Sequence, residues 1–186
     1  TEDCTDSAGG WSYDAGTATL TLDGFQGEYI EANGDINIVL KGKNKITISA
    51  ESTEGIKSTG KVTIDDTISP AQDCLDIYCS DGTESVSMIY TGGFGADYAT
   101  YIVGGTVNLV EENTRRRYVT GISRWAYVEN DASLNINLSA DGGRNGVAAL
   151  LNLNTSGDTS FRVNSLSSSS YGVYSLDKKG SGDTAL

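Results

Sequence analysis

The chain contains no histidine. That removes a Ser-His-Asp triad, a Cys-His pair and any His-ligated zinc or haem. Its three cysteines include no CxxC spacing, so neither a zinc ribbon nor a four-thiolate iron–sulfur site can be built. A single proline stands against 23 glycines, which leaves the turns to Gly, Asn, Asp and Ser. No run of about 18 apolar residues occurs, so no segment reads as a membrane-spanning helix. Basic residues are scarce, 13 Lys and Arg against 25 Asp and Glu, for a net charge of −12. Nucleic acid and anionic membrane surfaces both require a basic footprint and are poor partners for such a chain. Cations, calcium among them, are permitted.

The 186 residues are 38% apolar, and the glycines bring the apolar share into the normal globular range. One domain is expected, with residues 1–10 as an N-terminal arm and 11–186 as the folded unit, truncated or covered by a partner at its C-terminal end. No Met and no basic leader stand before Thr1, so the chain reads as a processed or trimmed form. Abundant Tyr, Thr, Ser and Asn fit a secreted or cell-surface protein.

A repeat runs through the sequence. An apolar or Gly-apolar step precedes a polar turn and an alternating run: Tyr29-Ile30 before 35–40 (DINIVL), Gly55-Ile56 before 61–64 (KVTI), Tyr101-Ile102 before 106–110 (TVNLV). It continues with Gly121-Ile122 before 133–138 (SLNINL), Gly146-Val147 before 160–163 (SFRV), and Gly172-Val173. The markers 30, 56, 102, 122, 147 and 173 are spaced by 26, 46, 20, 25 and 26, the 46 reading as two periods. Such a period suits one coil of a solenoid. Runs such as 17–22 (TATLTL) and 45–49 (KITIS) alternate with strand periodicity and one buried face. The expected fold is therefore all-β, a parallel β-helix of about seven coils at 20 to 26 residues each, with coils about 4.8 Å apart. An antiparallel β-sandwich accounts for the strand density but not for the marker spacing. The aromatic stretch 10–14 (GWSYD) is a candidate cap for the first coil, whereas 175–186 holds none.

The run 11–14 (WSYD), then 19–25 (TLTLDGF), Tyr29-Ile30 and 35–44 (DINIVLKGKN) resembles the opening of the right-handed parallel β-helix, pectate-lyase-like carbohydrate-binding domains of Firmicutes surface proteins. The stretch 55–64 (GIKSTGKVTI) is similar to the second coil of that pattern. The resemblance covers residues 10–64 and implies a right-handed β-helix that binds plant cell-wall polysaccharide with calcium and without strong lyase activity. The stretch 69–79 (SPAQDCLDIYC) departs from it.

Sugar recognition needs aromatic platforms for apolar ring faces and paired polar groups for hydroxyls. The candidates are Tyr78, Tyr90, Tyr98, Tyr101, Tyr118, Trp125 and Tyr127. In 124–128 (RWAYV), Trp125 and Tyr127 share one strand face, and the smaller Ala126 and Val128 share the other, the natural core side. Arg115, Arg116 and Arg117 form the one basic cluster, suited to supply the base of a calcium-assisted polysaccharide lyase, to bind uronate carboxylates, or to make a charged turn beside Glu111 and Glu112. Calcium would draw on turn carboxylates, for which Asp65, Asp66, Asp73, Asp76, Asp81 and Glu84 are the candidates, although none matches an EF-hand or nonapeptide loop. In 74–79 (CLDIYC), Cys74 and Cys79 fall on opposite strand faces, beyond disulfide reach. Cys79 reads as buried, and Cys4 is free to pair with Cys74 in an oxidising compartment or to bridge between molecules. Asn137-Leu-Ser139 and Asn154-Thr-Ser156 are sequons.

No catalytic set emerges. Two functions are compatible with these residues. One is a non-catalytic carbohydrate-binding module, with calcium as its potential cofactor and polysaccharide as its partner. The other is a self-assembling filament or surface-layer protein, built by end-to-end stacking or strand exchange between copies.

Overall fold

The computed structural model describes residues 4–6, 8–66, 73–82, 84–112, 118–139, 147–156, 159–165, 170–173 and 179–180. They form an all-β chain in which parallel pairing dominates. Three strands open it: β1 (Cys4–Asp6), β2 (Trp11–Asp14) and β3 (Thr19–Asp23), paired antiparallel in succession. Next come β4 (Gln26–Gly27), β5 (Ile30–Ala32) and β6 (Ile36–Lys41). The same three-strand rhythm repeats in β7 (Lys43–Ile48), β8 (Glu54–Ser58) and β9 (Val62–Asp65), and in β10 (Cys74–Cys79), β11 (Val86–Thr91) and β12 (Thr100–Ile102). From there pairs replace the triplets: β13 (Thr106–Glu112) is followed by the long β14 (Val119–Glu129), and β15 (Ser133–Ser139) by β16 (Val147–Ser156). The last strands are β17 (Ser160–Ser165), β18 (Ser170–Val173) and β19 (Lys179–Gly180).

Six strands form one sheet in the order β17-β15-β13-β10-β7-β4. The others make a thirteen-stranded sheet, β1-β2-β3-β6-β9-β12-β14-β11-β8-β5, with β16 added on β14 and β18 and β19 on β16. The larger sheet curls back on itself because β14 is long enough to pair with β12 along one half and β11 along the other.

Period-2 alternation dictates what the sheets bury. In β6 and β10 every second residue faces inward, Ile36, Ile38 and Leu40 in one and Leu75, Ile77 and Cys79 in the other. Register aligns these residues into columns. Ile46, Ile77, Leu109, Ile136 and Val163 follow one another across the six-stranded sheet. Leu20, Ile38, Ile64, Ile102 and Val128 do so across one half of the larger sheet. Each fully buried Ile or Leu contributes about 1.5–3 kcal/mol relative to exposure.

The marker column expected from the sequence is corrected in two places. Ile30, Ile56 and Ile122 do share a column, which continues to Val173, but Ile89 and Leu150 fill the steps assigned to Ile102 and Val147. Ile102 belongs to the Ile64 column, and Val147 pairs with Val119. The repeat is thus longer than expected in the middle of the chain, 33 residues from Ile56 to Ile89 and again to Ile122. The connections between strands absorb the difference without disturbing the pairing.

The glycine of the Gly-apolar step has a packing reason at Gly55. A Cβ there would meet the Met88 carbonyl oxygen at 2.8 Å and side-chain carbons of Ile48 and Ile77 at 3.0 Å. At the opposite edge, Trp11, Tyr13 and Phe25 pack against the apolar interior, as aromatic bulk in 10–14 suggested for two of them. Buried Asn44 ties that edge together. Its Oδ1 accepts from the Phe25 N–H at 2.9 Å, and its Nδ2 donates to the Lys41 and Cys74 carbonyls at 3.2 and 3.3 Å.

Candidate functional site

Outward positions of β5, β8, β11 and β14 line up across the curled sheet, with Glu31 beside Lys57 and Lys57 beside Tyr90. Two adjoining clefts cross these strands. One, of about 310 Å³, is lined by Tyr90, Tyr118, Ser85, Ser87, Thr120 and the Thr53-Glu54 pair. Its neighbour, of about 200 Å³, shares Thr53 and Glu54 and adds Tyr29, Glu31, Glu51 and Lys57. Tyr29 and Tyr118 are 60% and 47% exposed, so each cleft offers a ring that solvent or a ligand can reach. Polar groups around the shared wall are partly committed: Thr53 Oγ1 donates to Glu54 Oε2 at 2.6 Å, and Lys57 Nζ lies 3.3 Å from Glu31 Oε1. Glu31 first, and then Glu54, hold the Lys57 ammonium above its usual pKa.

The clefts end at a bend. The register of β14 against β16 shifts between Ile122 and Trp125, leaving Ser123 and Arg124 as a bulge. Bulging re-aims Arg124 so that its guanidinium carbon sits 4.3 Å over the Phe94 ring and 5.6 Å over the Tyr90 ring. Phe94 is 74% exposed. Among the described residues, the buried atoms Thr91 Oγ1, Thr100 Oγ1, Ser123 Oγ and Arg124 Nε find no hydrogen-bond partner near this corner. Each such group costs about 1–3 kcal/mol.

Beyond the bulge, Trp125 and Tyr127 lie on the outer face while Ala126 and Val128 are fully buried, as alternation required. Tyr127 stands opposite Tyr101 in register, and the two rings stack with centroids 4.5 Å apart and planes 6° from parallel. Trp125 is tilted against Tyr127 at 6.4 Å. The two tyrosine rings cover one face of each other, which limits their use as sugar platforms.

The remaining sequence candidates are scattered. Tyr78 lies on the six-stranded sheet, away from the other rings, with Lys45 Nζ 4.6 Å over it. Asp76 is committed to a polar ladder on that sheet: Asn108 Nδ2 donates to it at 2.6 Å, and Asn135 Nδ2 donates to Asn108 Oδ1 at 2.9 Å. Asp81 caps its own turn, accepting from the Gly82 N–H at 3.0 Å, and Glu84 is exposed. Asp65 accepts from the Asp66 N–H at 2.8 Å. Asp66 and Asp73 both pack against Gly105, and the Gly42 N–H donates to Asp73 at 2.6 Å. Burial pushes the Asp73 carboxyl up, the Gly42 N–H opposes this, and Asp66 and Asp23 add to the rise. The Asp73 carboxyl thus favours holding its proton. Among the described residues no three carboxylates or thiols converge to hold a metal ion.

Arg115, Arg116 and Arg117 lie outside the described residues. Among the described residues the three cysteines form no disulfide. Cys4 sits opposite Tyr13 at the edge of the larger sheet, and Cys74 lies between Lys43 and Thr106 in the smaller one, so the Cys4–Cys74 bridge is not formed. Burial foremost raises the Cys74 thiol pKa. Cys79 is buried, as read from alternation.

Of the residues gathered here, Thr53, Glu54, Phe94 and Arg124 went unnoticed in the sequence. Phe94 carried a signal, an aromatic residue in the glycine-rich run 92–95 (GGFG). Arg124 carried none, because a bulge leaves no mark on an alternating pattern. The chain matches no family model, no curated protein and no solved structure, so the resemblance over residues 10–64 rests on its motif residues alone.

Proposed function

We propose that the strands wind as a right-handed parallel β-helix and that this chain is an extracellular, non-catalytic carbohydrate-binding module. Parallel neighbours recurring once per round favour the winding, and the steric rule for crossovers between parallel strands favours its right hand. The pair of adjoining clefts carries the functional reading. Each has an accessible tyrosine, hydroxyl groups and a carboxylate, and the Thr53-Glu54 wall between them suits a polymer with repeated units. Calcium, if it assists, would be held by glycan and protein oxygens together. End-to-end filament assembly is the weaker reading, because the β1–β2 hairpin lies antiparallel across one edge of the larger sheet, where parallel stacking would have to continue.

The test is retention and calorimetry with soluble and insoluble cell-wall polysaccharides, neutral and acidic, with and without calcium. Saturable binding that is lost in a Tyr90→Ala, Tyr118→Ala double variant is expected. Flat isotherms with every glycan, or affinity unchanged in the double variant, would reject the reading.

A further inference from the structure

Parallel in-register pairing sets equivalent positions on neighbouring strands about 4.8 Å apart. Tyr101 on β12 and Tyr127 on β14 occupy such positions, and their rings meet as a near-parallel stack at 4.5 Å. The stack is held from below: Thr100, Ile102, Ala126 and Val128, the flanking residues on both strands, are fully buried and fix the outward direction of both rings. It is also held at its rim, where the Tyr101 O–H donates to the Ala96 carbonyl at 3.3 Å and Lys61 Nζ sits 5.8 Å from the ring. Both rings remain partly open to solvent. Burial foremost keeps both phenols protonated above the usual tyrosine range. At neutral pH they are therefore neutral phenols.

Two phenoxyl radicals couple through ring carbons ortho to oxygen. In free tyrosine this needs a rare encounter, whereas two rings held side by side meet at a high effective concentration. We propose that Tyr101 and Tyr127 are a built-in dityrosine site, a place where a haem peroxidase with hydrogen peroxide staples β12 to β14. Each phenol gives up one electron and one proton. The peroxide takes both electrons and both protons and leaves as two water molecules. The two radicals then form one carbon–carbon bond between ortho positions, and each ortho hydrogen moves to its own oxygen to restore the phenol. The bond joins residues distant in sequence but adjacent in the sheet, so like a disulfide it restricts the unfolded chain. No bound glycan is involved, and the site stands whether or not the clefts bind sugar.

The experiment oxidises the dilute full-length chain with a haem peroxidase and limiting peroxide, then follows dityrosine fluorescence, gel mobility and the peptide map. The expected product is monomeric, forms in a yield independent of protein concentration, and contains one peptide pair joined through Tyr101 and Tyr127. Tyr101→Phe and Tyr127→Phe should each lose that peptide pair, while Tyr78→Phe should keep it. Absence of the Tyr101–Tyr127 peptide from oxidised parent protein, with other tyrosines coupled instead, would overturn the proposal. So would an undiminished monomeric yield in Tyr101→Phe. The parent peptide map decides the matter alone if a variant fails to fold.

Discussion

The two sheets use the same alternating residues to different ends. In the six-stranded sheet every pairing between β7 and β17 keeps one uninterrupted register. Its inner columns are mostly Ile, Leu and Val, with Asn44, Cys79 and Glu111 buried among them, and its outer face carries the Asp76-Asn108-Asn135 ladder of side-chain hydrogen bonds. Among the described residues of the thirteen-stranded sheet the register slips once, at Ser123 and Arg124. Around that slip lie exposed Phe94, the Arg124 guanidinium over two rings, the unpartnered hydroxyls of Thr91, Thr100 and Ser123, and the larger cleft. Regular stacking produces stability and a self-contained surface. Irregularity produces groups with unspent bonding capacity, which is where ligands are to be sought.

The contrast breaks most visibly in the inner columns. Ile77→Ala or Leu109→Ala removes a fully buried side chain from the regular sheet and should cost about 2–5 kcal/mol in chemical denaturation. A loss below about 1 kcal/mol would mean that the column is not packed as described. Gly55→Ala tests the tight point where the sheets face each other; with a carbonyl oxygen 2.8 Å from the new carbon, a loss of about 1–3 kcal/mol is expected. Asn108→Ala cuts the outer ladder at its middle and should cost about 0.5–1.5 kcal/mol, much of it recovered if Asp76 and Asn135 find water.

The pH response sharpens the comparison further. The Asp73 carboxyl is raised in the folded chain, so the folded state binds its proton more tightly than the unfolded state does. Its contribution is therefore most favourable in acid and is lost as pH rises from the usual carboxylate range through the raised folded value. Asp14 has the opposite sign: the Thr17 hydroxyl and the Gly16 N–H lower it, so its contribution is present above the usual range and fades as pH falls through the lowered folded value. Asp73→Asn should thus melt higher than the parent at neutral pH, the advantage vanishing in acid. A pH-independent difference between variant and parent would contradict the raised Asp73 carboxyl. The smallest effect on stability is expected at the clefts, where Tyr118→Ala, on an exposed ring, should change stability by less than about 0.5 kcal/mol.

Strand faces were legible in the sequence wherever alternation was unbroken. Ala126 and Val128 inside, Trp125 and Tyr127 outside, and Leu75, Ile77 and Cys79 inside all follow from period 2. The aromatic bulk of Trp11 and Tyr13 at the first edge was legible too. Which markers share a column was only partly so. Ile89 follows Met88 rather than a glycine, and Leu150 follows Ala149, so neither bore the expected Gly-apolar or Tyr-Ile signature. The clefts were not legible, because Thr53, Glu54 and Ser87 are ordinary surface residues until stacking places them side by side. Nor was the Tyr101–Tyr127 stack, since residues 26 apart become neighbours only through the register of β12 on β14.

The most direct measurement is a methyl NOE map of the side chains Ile46, Ile77, Leu109 and Ile136. Stacked parallel strands require a sequential chain of cross-peaks, Ile46 to Ile77 to Leu109 to Ile136, each about one strand spacing apart. Absence of those contacts, or strong antiparallel Hα–Hα cross-peaks between β7 and β10 or between β10 and β13, would contradict the stacking on which the fold, the clefts and the tyrosine pair all depend.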